Sequence, residues 1–192
     1  YDTVGPNRLM NALAYILAVF HISWAAGSIT AGYLMNTMGI GFAYALASIF
    51  CLLSMIPLTL MRVSNVTEPD REPIASNIVQ GIQYVFRNKP LRVLLILSML
   101  TEAFGFSYLI MLPVIAKTVL AVGPTGLGYL AAAGGIGSLI GTAVIAVLSE
   151  FGDKWKLLAV ATMSAGVSIL LFASSPWYGL SLILVGFIGL SL

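Results

Sequence analysis

The sequence predicts an all-α, polytopic transmembrane helix bundle, and three observations predict it. The charges fall into islands: no Asp, Glu, Lys or Arg occurs from Leu9 to Met61, only Glu102 and Lys117 occur from Val93 to Ser149, and none occurs from Leu157 to Leu192. Charged residues make up 8% of the chain and hydrophobic ones 59%, against roughly 25% charge in a soluble domain. The mean hydropathy is +1.01. A water-soluble surface needs charge that these gaps do not supply, whereas a bilayer span needs about 20 mostly apolar residues. The third observation is that Lys and Arg sort to one side of the predicted spans, as described below.

Six apolar segments follow in order. The first runs from Leu9 to Met35 and carries small residues at helical spacing, in steps of three, four and seven: Ala14, Ala18, Ala25, Ser28 and Gly32. Such a seam lets helix backbones approach closely where lipid removes the hydrophobic drive between helices. Asn36–Gly41, with two glycines, turns the chain into the second segment, Phe42 to Met61. The third runs from Leu91 to Leu120 and is interrupted by Pro113, which is expected to loosen its outer end as a hinge or a fixed kink. Gly123-Pro124 turns the chain into the fourth, Leu127 to Leu148, which carries Gly134, Gly137 and Gly141 as a second close-packing device. The fifth runs from Leu157 to Ala173; Ser174-Ser175-Pro176 breaks it, and the sixth starts at Trp177. Tyr129, Trp155, Trp177 and Tyr178 lie near span ends, where interfacial aromatics belong.

The one long connection, Arg62 to Pro90, has two parts. Thr67 to Pro73 is polar and Pro-rich, a solvated linker. Beyond it Ile74, Ile78, Ile82, Val85 and Phe86 recur at helical spacing opposite Ser76, Asn77, Gln80, Gln83 and Arg87, which predicts a short amphipathic helix along the membrane face, started by Pro73 and ended by Pro90. With the start of the chain inside, Arg8, Arg62, Arg71, Arg87, Lys89, Arg92, Lys154 and Lys156 all fall on the inner side and Lys117 on the outer. That asymmetry makes the long connection cytoplasmic.

Several function classes drop out. A net charge of +2 offers no basic field for nucleic acid. No phosphate-binding Gly-rich loop, His-Glu-x-x-His or Gly-x-Ser-x-Gly occurs. The single cysteine, Cys51, lies in an apolar run as a packing residue. The first residue is Tyr1 and the last apolar segment stops at Leu192, so the chain reads as a segment of a longer protein.

Function is therefore sought in polar groups inside the spans. Glu102 lies near the middle of the third, with Ser98, Thr101, Gly105 and Tyr108 on its helical face. An ionised carboxylate cannot face lipid, so Glu102 should face protein or water, or be protonated. It is read as a protonation site or a carboxylate for a cationic substrate; the alternative is a carboxyl group hydrogen-bonded to a neighbouring helix. His21 is the other titratable group within a span. It is read first as a packed, hydrogen-bonded residue of the small-residue seam, and second as a proton shuttle. No His, Cys or carboxylate neighbours it at metal-ligand spacing.

Three stretches resemble the major facilitator superfamily, in particular its bacterial exporter branch that includes the enterobactin exporter. Gly27-Ser28-Ile29-Thr30-Ala31-Gly32-Tyr33-Leu34 resembles the fifth-helix antiporter motif, Gly-Pro-x-x-Gly-Gly, with Ser28 in place of the proline and Ala31 in place of the first paired glycine. Val79 to Asn88 followed by Pro90-Leu91-Arg92 is similar to the approach to the seventh helix, and Gly126 to Leu130 through Gly134–Gly137 to the eighth. The loop after the fourth segment keeps the acid Glu150 and Gly152 of a gating motif and lacks its arginine.

The resemblance covers nearly the whole chain and implies a partial major-facilitator fold, helices five to ten of twelve. Residues 1–62 would close the N-terminal half, 63–90 would be the cytoplasmic linker, and 91–192 would begin the C-terminal half. It implies a multi-pass protein of a bacterial inner membrane: a secondary transporter, with proton-coupled efflux of a small amphipathic molecule by alternating access. The partners implied are a small-molecule substrate, protons or another coupling ion, and the bilayer, with no cofactor. Two other classes stay open, a non-transporting membrane scaffold or assembly protein and, behind it, an intramembrane enzyme.

Overall fold

The computed structural model describes residues 9–60, 74–105, 107–148 and 154–191. Among them are nine helices and no strand: α1 (Leu9–Thr37), α2 (Gly39–Leu53), α3 (Met55–Leu60), α4 (Ile74–Arg87), α5 (Lys89–Gly105), α6 (Ser107–Thr118), α7 (Pro124–Leu148), α8 (Lys154–Ser174) and α9 (Tyr178–Ser191). Five stretches are long and apolar enough to cross a bilayer: Leu13–Thr37, Gly39–Pro57, Lys89–Thr118, Pro124–Ile145 and Trp155–Ser174. Tyr178–Ser191 is a shorter apolar helix. The chain is a multi-pass membrane helix bundle.

The reversal between α1 and α2 is tighter than the expected six-residue turn. The Met38 amide closes the last turn on the Leu34 carbonyl at 2.8 Å, and Gly39, at φ +83°, takes the left-handed conformation that other residues avoid. The second segment breaks at Ser54, whose hydroxyl donates to the Cys51 carbonyl at 2.7 Å. Pro57 follows in the next turn and has no amide hydrogen to continue the ladder.

Two prolines act elsewhere than the sequence indicated. Pro90 does not end α4, which stops at Arg87; it stands in the first turn of α5, where its missing N–H costs nothing. Pro113 does not interrupt the third span; it lies inside the continuous helix α6. The third span runs as one apolar stretch from Lys89 to Thr118, and the Ser107 hydroxyl donates to the Phe104 carbonyl.

The turn into α7 is closed by the Val122 amide on the Ala116 carbonyl at 2.9 Å. The left-handed residue there is Ala121, at φ +51°, not Gly123 two residues on. Between α8 and α9, Ser175 donates to the Trp177 carbonyl at 3.3 Å and accepts from Ser181 at 3.2 Å, both serines being buried.

A tight centre forms where α6, α7, α8 and α9 meet: Tyr108, Leu112, Ala116, Leu130, Phe172, Leu184, Val185 and Ile188. Outward-facing apolar side chains such as Phe50, Leu52, Met163 and Leu170 remain exposed, as a lipid solvent requires. Between helices in lipid, close packing carries the association, and α7 supplies it on two faces. Gly128 lies against α1, where an added Cβ would be 2.5 Å from the Ser28 carbonyl oxygen and 3.1 Å from the Gly32 Cα. Gly135, on the same face, would meet the Ala25 amide at 3.2 Å and the His21 carbonyl at 3.3 Å. On the other face Gly137 packs on the Gly186 carbonyl, Gly141 on the Leu190 carbonyl, and Gly134 receives Gly189.

These pairings fix direction. Gly32 beside Gly128 and His21 beside Gly135 make α1 and α7 antiparallel. The Tyr178 hydroxyl on the Gly126 carbonyl at 3.0 Å, with Leu190 at Gly141, makes α7 and α9 parallel. Leu94 shares a cavity wall with Leu157 and Leu158, so α5 and α8 start at the same end. The alternation agrees with successive crossings. It gathers Arg87, Lys89, Arg92, Lys154 and Lys156 at one end, with Lys117 near the other end of the third span.

Candidate functional site

Glu102 lies 13 residues into the 30-residue span Lys89–Thr118, about 20 Å along its axis and near its middle. It stands in the walls of two cavities. The larger, of about 380 Å³, runs between α5, α8, α7 and α9 and receives Ser98, Thr101, Thr162 and Ser191 among apolar side chains. The smaller, of about 130 Å³, is lined by His21 from α1, Glu102 from α5, Tyr108 from α6, Ser138, Gly141, Thr142 and Ile145 from α7, and Gly189 and Leu190 from α9. The predicted polar stripe is thus divided. Ser98 and Thr101 lie with Glu102 on one side. Tyr108 turns to the other and is buried.

His21 comes into the site from the far side of the linker sequence. Its backbone carbonyl packs on Gly135, as the seam predicts, and the half-buried residue lines the smaller cavity. The ring meets the Phe20 ring edge-on, with centroids 5.5 Å apart and planes at 75°. On the next turn the Trp24 indole Nε1 donates to the Ala131 carbonyl of α7 at 3.2 Å and fixes the rotation of α1 against α7.

The α7 wall carries two hydroxyls that the sequence reading passed over. Ser138 donates to the Gly134 carbonyl at 3.1 Å and Thr142 to the Ser138 carbonyl at 2.8 Å. Their i, i+4 spacing beside Gly134 and Gly141 is the signal that could have found them. Their hydrogens are used by the helix, so their oxygens face the cavity as acceptors. Together with the Glu102 carboxylate they make a wall suited to a proton, a hydronium or a cationic group.

The small-residue candidates divide as well. Gly32, Gly134, Gly137 and Gly141 are in backbone-to-backbone contact, and the Ser28 carbonyl packs on Gly128. Gly27 has no other atom within 4 Å of its missing Cβ and is exposed, so it packs on no described helix. Ala14 is likewise exposed, and the effective seam is His21, Ala25, Ser28 and Gly32. Pro113 is exposed on α6, away from both polar cavities. Glu150 lies outside the described residues. The larger lateral grooves are almost wholly apolar: one, of about 430 Å³, between Ile29, Tyr129, Ile136 and Phe187, and another, of about 500 Å³, between Leu100, Phe104, Gly166 and Leu170.

Comparison with known proteins agrees with this architecture. The multidrug efflux pump Tap of Mycolicibacterium fortuitum is 27% identical over 179 residues, which cover 90% of this chain and 43% of that protein. The chain thus spans less than half the length of this relative. No solved structure matches. The family described as transmembrane secretion effector matches residues 2–189. The chain belongs to this family of major facilitator transporters.

Proposed function

We propose that this chain forms helices five to ten of a twelve-helix secondary exporter, which couples efflux of a small amphipathic molecule to protons by alternating access. In this reading α1 to α3 close the first half, residues 63–90 are the cytoplasmic linker, and α5 to α9 begin the second half in a bacterial inner membrane. Collection of Arg87, Lys89, Arg92, Lys154 and Lys156 at one end supports that orientation. The similarity to a multidrug efflux pump of Mycolicibacterium fortuitum supports efflux.

The observation that carries the reading is Glu102, an exposed carboxylate at mid-span in the walls of two cavities that also receive hydroxyl side chains. An acid at that depth is costly unless it faces water, a partner or a ligand. A carboxylate there can hold a proton or a cationic substrate group and exchange one for the other. The α1–α7 contact joins the two proposed halves through Gly32, Gly128 and Gly135. With few side chains to interlock, the two helices can slide past one another as the halves rock.

The test is efflux of a lipophilic cationic dye from cells or vesicles carrying the full-length protein. Glu102→Gln is expected to abolish proton-driven efflux, and Glu102→Asp to retain part of it. Wild-type efflux by Glu102→Gln across the neutral range would refute the assignment.

A further inference from the structure

We propose that His21 is a second proton-binding group of the smaller cavity, so that a cation binding there displaces protons from two groups carried on opposite sides of the linker. The inference rests on the reading of Glu102 as the acid that exchanges proton for cation. It adds a residue which the seam alone would leave as packing.

The geometry makes the two groups one site. His21 lies midway along α1 and Glu102 midway along the third span, and both line a cavity of about 130 Å³. Both groups stand in the wall of one small cavity, where the charge of one bears on the protonation of the other. The volume suits about four waters at liquid density, enough to pass a proton between imidazole and carboxylate. The His21 ring is set edge-on to the Phe20 ring, and the His21 carbonyl packs on Gly135.

The titratable groups lining this cavity are His21 from α1, Glu102 from α5 and Tyr108 from α6. α7 contributes Ser138 and Thr142, whose hydrogens are already donated to backbone carbonyls, and α9 contributes Gly189 and Leu190. The wall is therefore rich in acceptors, and a protonated imidazole is a donor that satisfies it. Taking up one proton from water converts the His21–Glu102 pair from net negative to neutral, and a second converts it to net positive. A cationic ligand is welcome only in the first state. It must displace a proton from each group that has one, and each released proton goes to water.

The experiment uses the full-length protein in lipid nanodiscs, with tetramethylammonium, a cation small enough for this cavity, as the probe and affinity measured from about pH 5.5 to 8.5. Wild type is expected to bind more weakly as pH falls, releasing more than one proton per cation at the acid end, counted with an indicator dye in weak buffer. His21→Gln and His21→Asn are expected to release about one proton fewer and to bind the probe about tenfold more tightly than wild type at acid pH. His21→Lys, a fixed positive charge, is expected to bind about tenfold more weakly near pH 8 with a flattened profile. If the Gln and Asn profiles superimpose on wild type while Glu102→Gln loses binding, the role of His21 is overturned and that of Glu102 stands. If Glu102→Gln binds as wild type does, both fall. The wild-type proton count decides the matter even where a variant fails to fold: one proton or fewer per cation across the range overturns the inference.

Discussion

Adding a single methyl group at Gly137 tests the packing that holds the site together. Its Cβ would press on the Gly186 carbonyl oxygen, and would lie 2.8 Å from the carbonyl carbon and 3.0 Å from the Leu190 amide nitrogen. All three are backbone atoms, so no side chain can rotate away. Ordinary contact begins at 3.4 Å, so the carbonyl carbon alone requires α7 and α9 to part by about 0.6 Å, and the oxygen requires more. A gap of that size forfeits a quarter to a half of the dispersion energy of the contacts it opens. Leu130, Val185 and Ile188, with 0% exposure, lie in the same interface. Overpacking a close interface costs about 1–3 kcal/mol; with only backbone in the way, Gly137→Ala belongs at the upper end, about 3 kcal/mol. Gly27→Ala is the control. It is exposed with open space at the Cβ, and alanine is the better helix former by roughly 1 kcal/mol. Thermal unfolding of the full-length protein in detergent should place Gly137→Ala several degrees below wild type and Gly27→Ala level with or above it. Equal melting of the two variants would refute the packing argument.

Two further substitutions read local features. Ala121→Gly relieves the positive φ at an exposed turn and should raise stability by roughly 0.5–1 kcal/mol in the same thermal assay, whereas a loss would show that the turn is not left-handed there. Trp24→Phe removes the indole bond to the Ala131 carbonyl and should cost about 1 kcal/mol, with weaker cross-linking between cysteines placed on α1 and α7; unchanged cross-linking would contradict its role in fixing α1.

The spans were legible because lipid imposes a simple rule on charge, and α1, α2, α7 and α8 follow the uncharged gaps closely. The amphipathic helix at Ile74–Arg87 was legible from its period, and Val79, Ile82 and Phe86 are exposed on it. Prolines misled, because proline has opposite meanings at the start and in the interior of a helix, and local sequence does not say which position it holds. Pro90 opens α5, and Pro113 sits inside α6 without interrupting it. The glycines of α7 could be recognised as packing surfaces, but their partners could not. Gly186 and Gly189 sit on a helix far along the chain, and only the fold shows that Gly128 and Gly135 serve a different neighbour from Gly137 and Gly141. The same limit explains His21. Its helix shows it among small residues, while the cavity it shares with Glu102 is created by α5, α6, α7 and α9 arriving from the other side of the linker.

The measurement that tests the central claim most directly is whether position 102 meets water and substrate at mid-span. In a full-length protein with the exposed Cys51 replaced by serine, Glu102→Cys is treated with a charged, water-soluble thiol reagent. Met163→Cys, on an exposed apolar surface, serves as the lipid-facing control. The account predicts that the cysteine at 102 reacts, that the control does not, and that a lipophilic cation slows the reaction at 102. A cysteine at 102 as inert as the control, or one whose labelling ignores the cation, would contradict it.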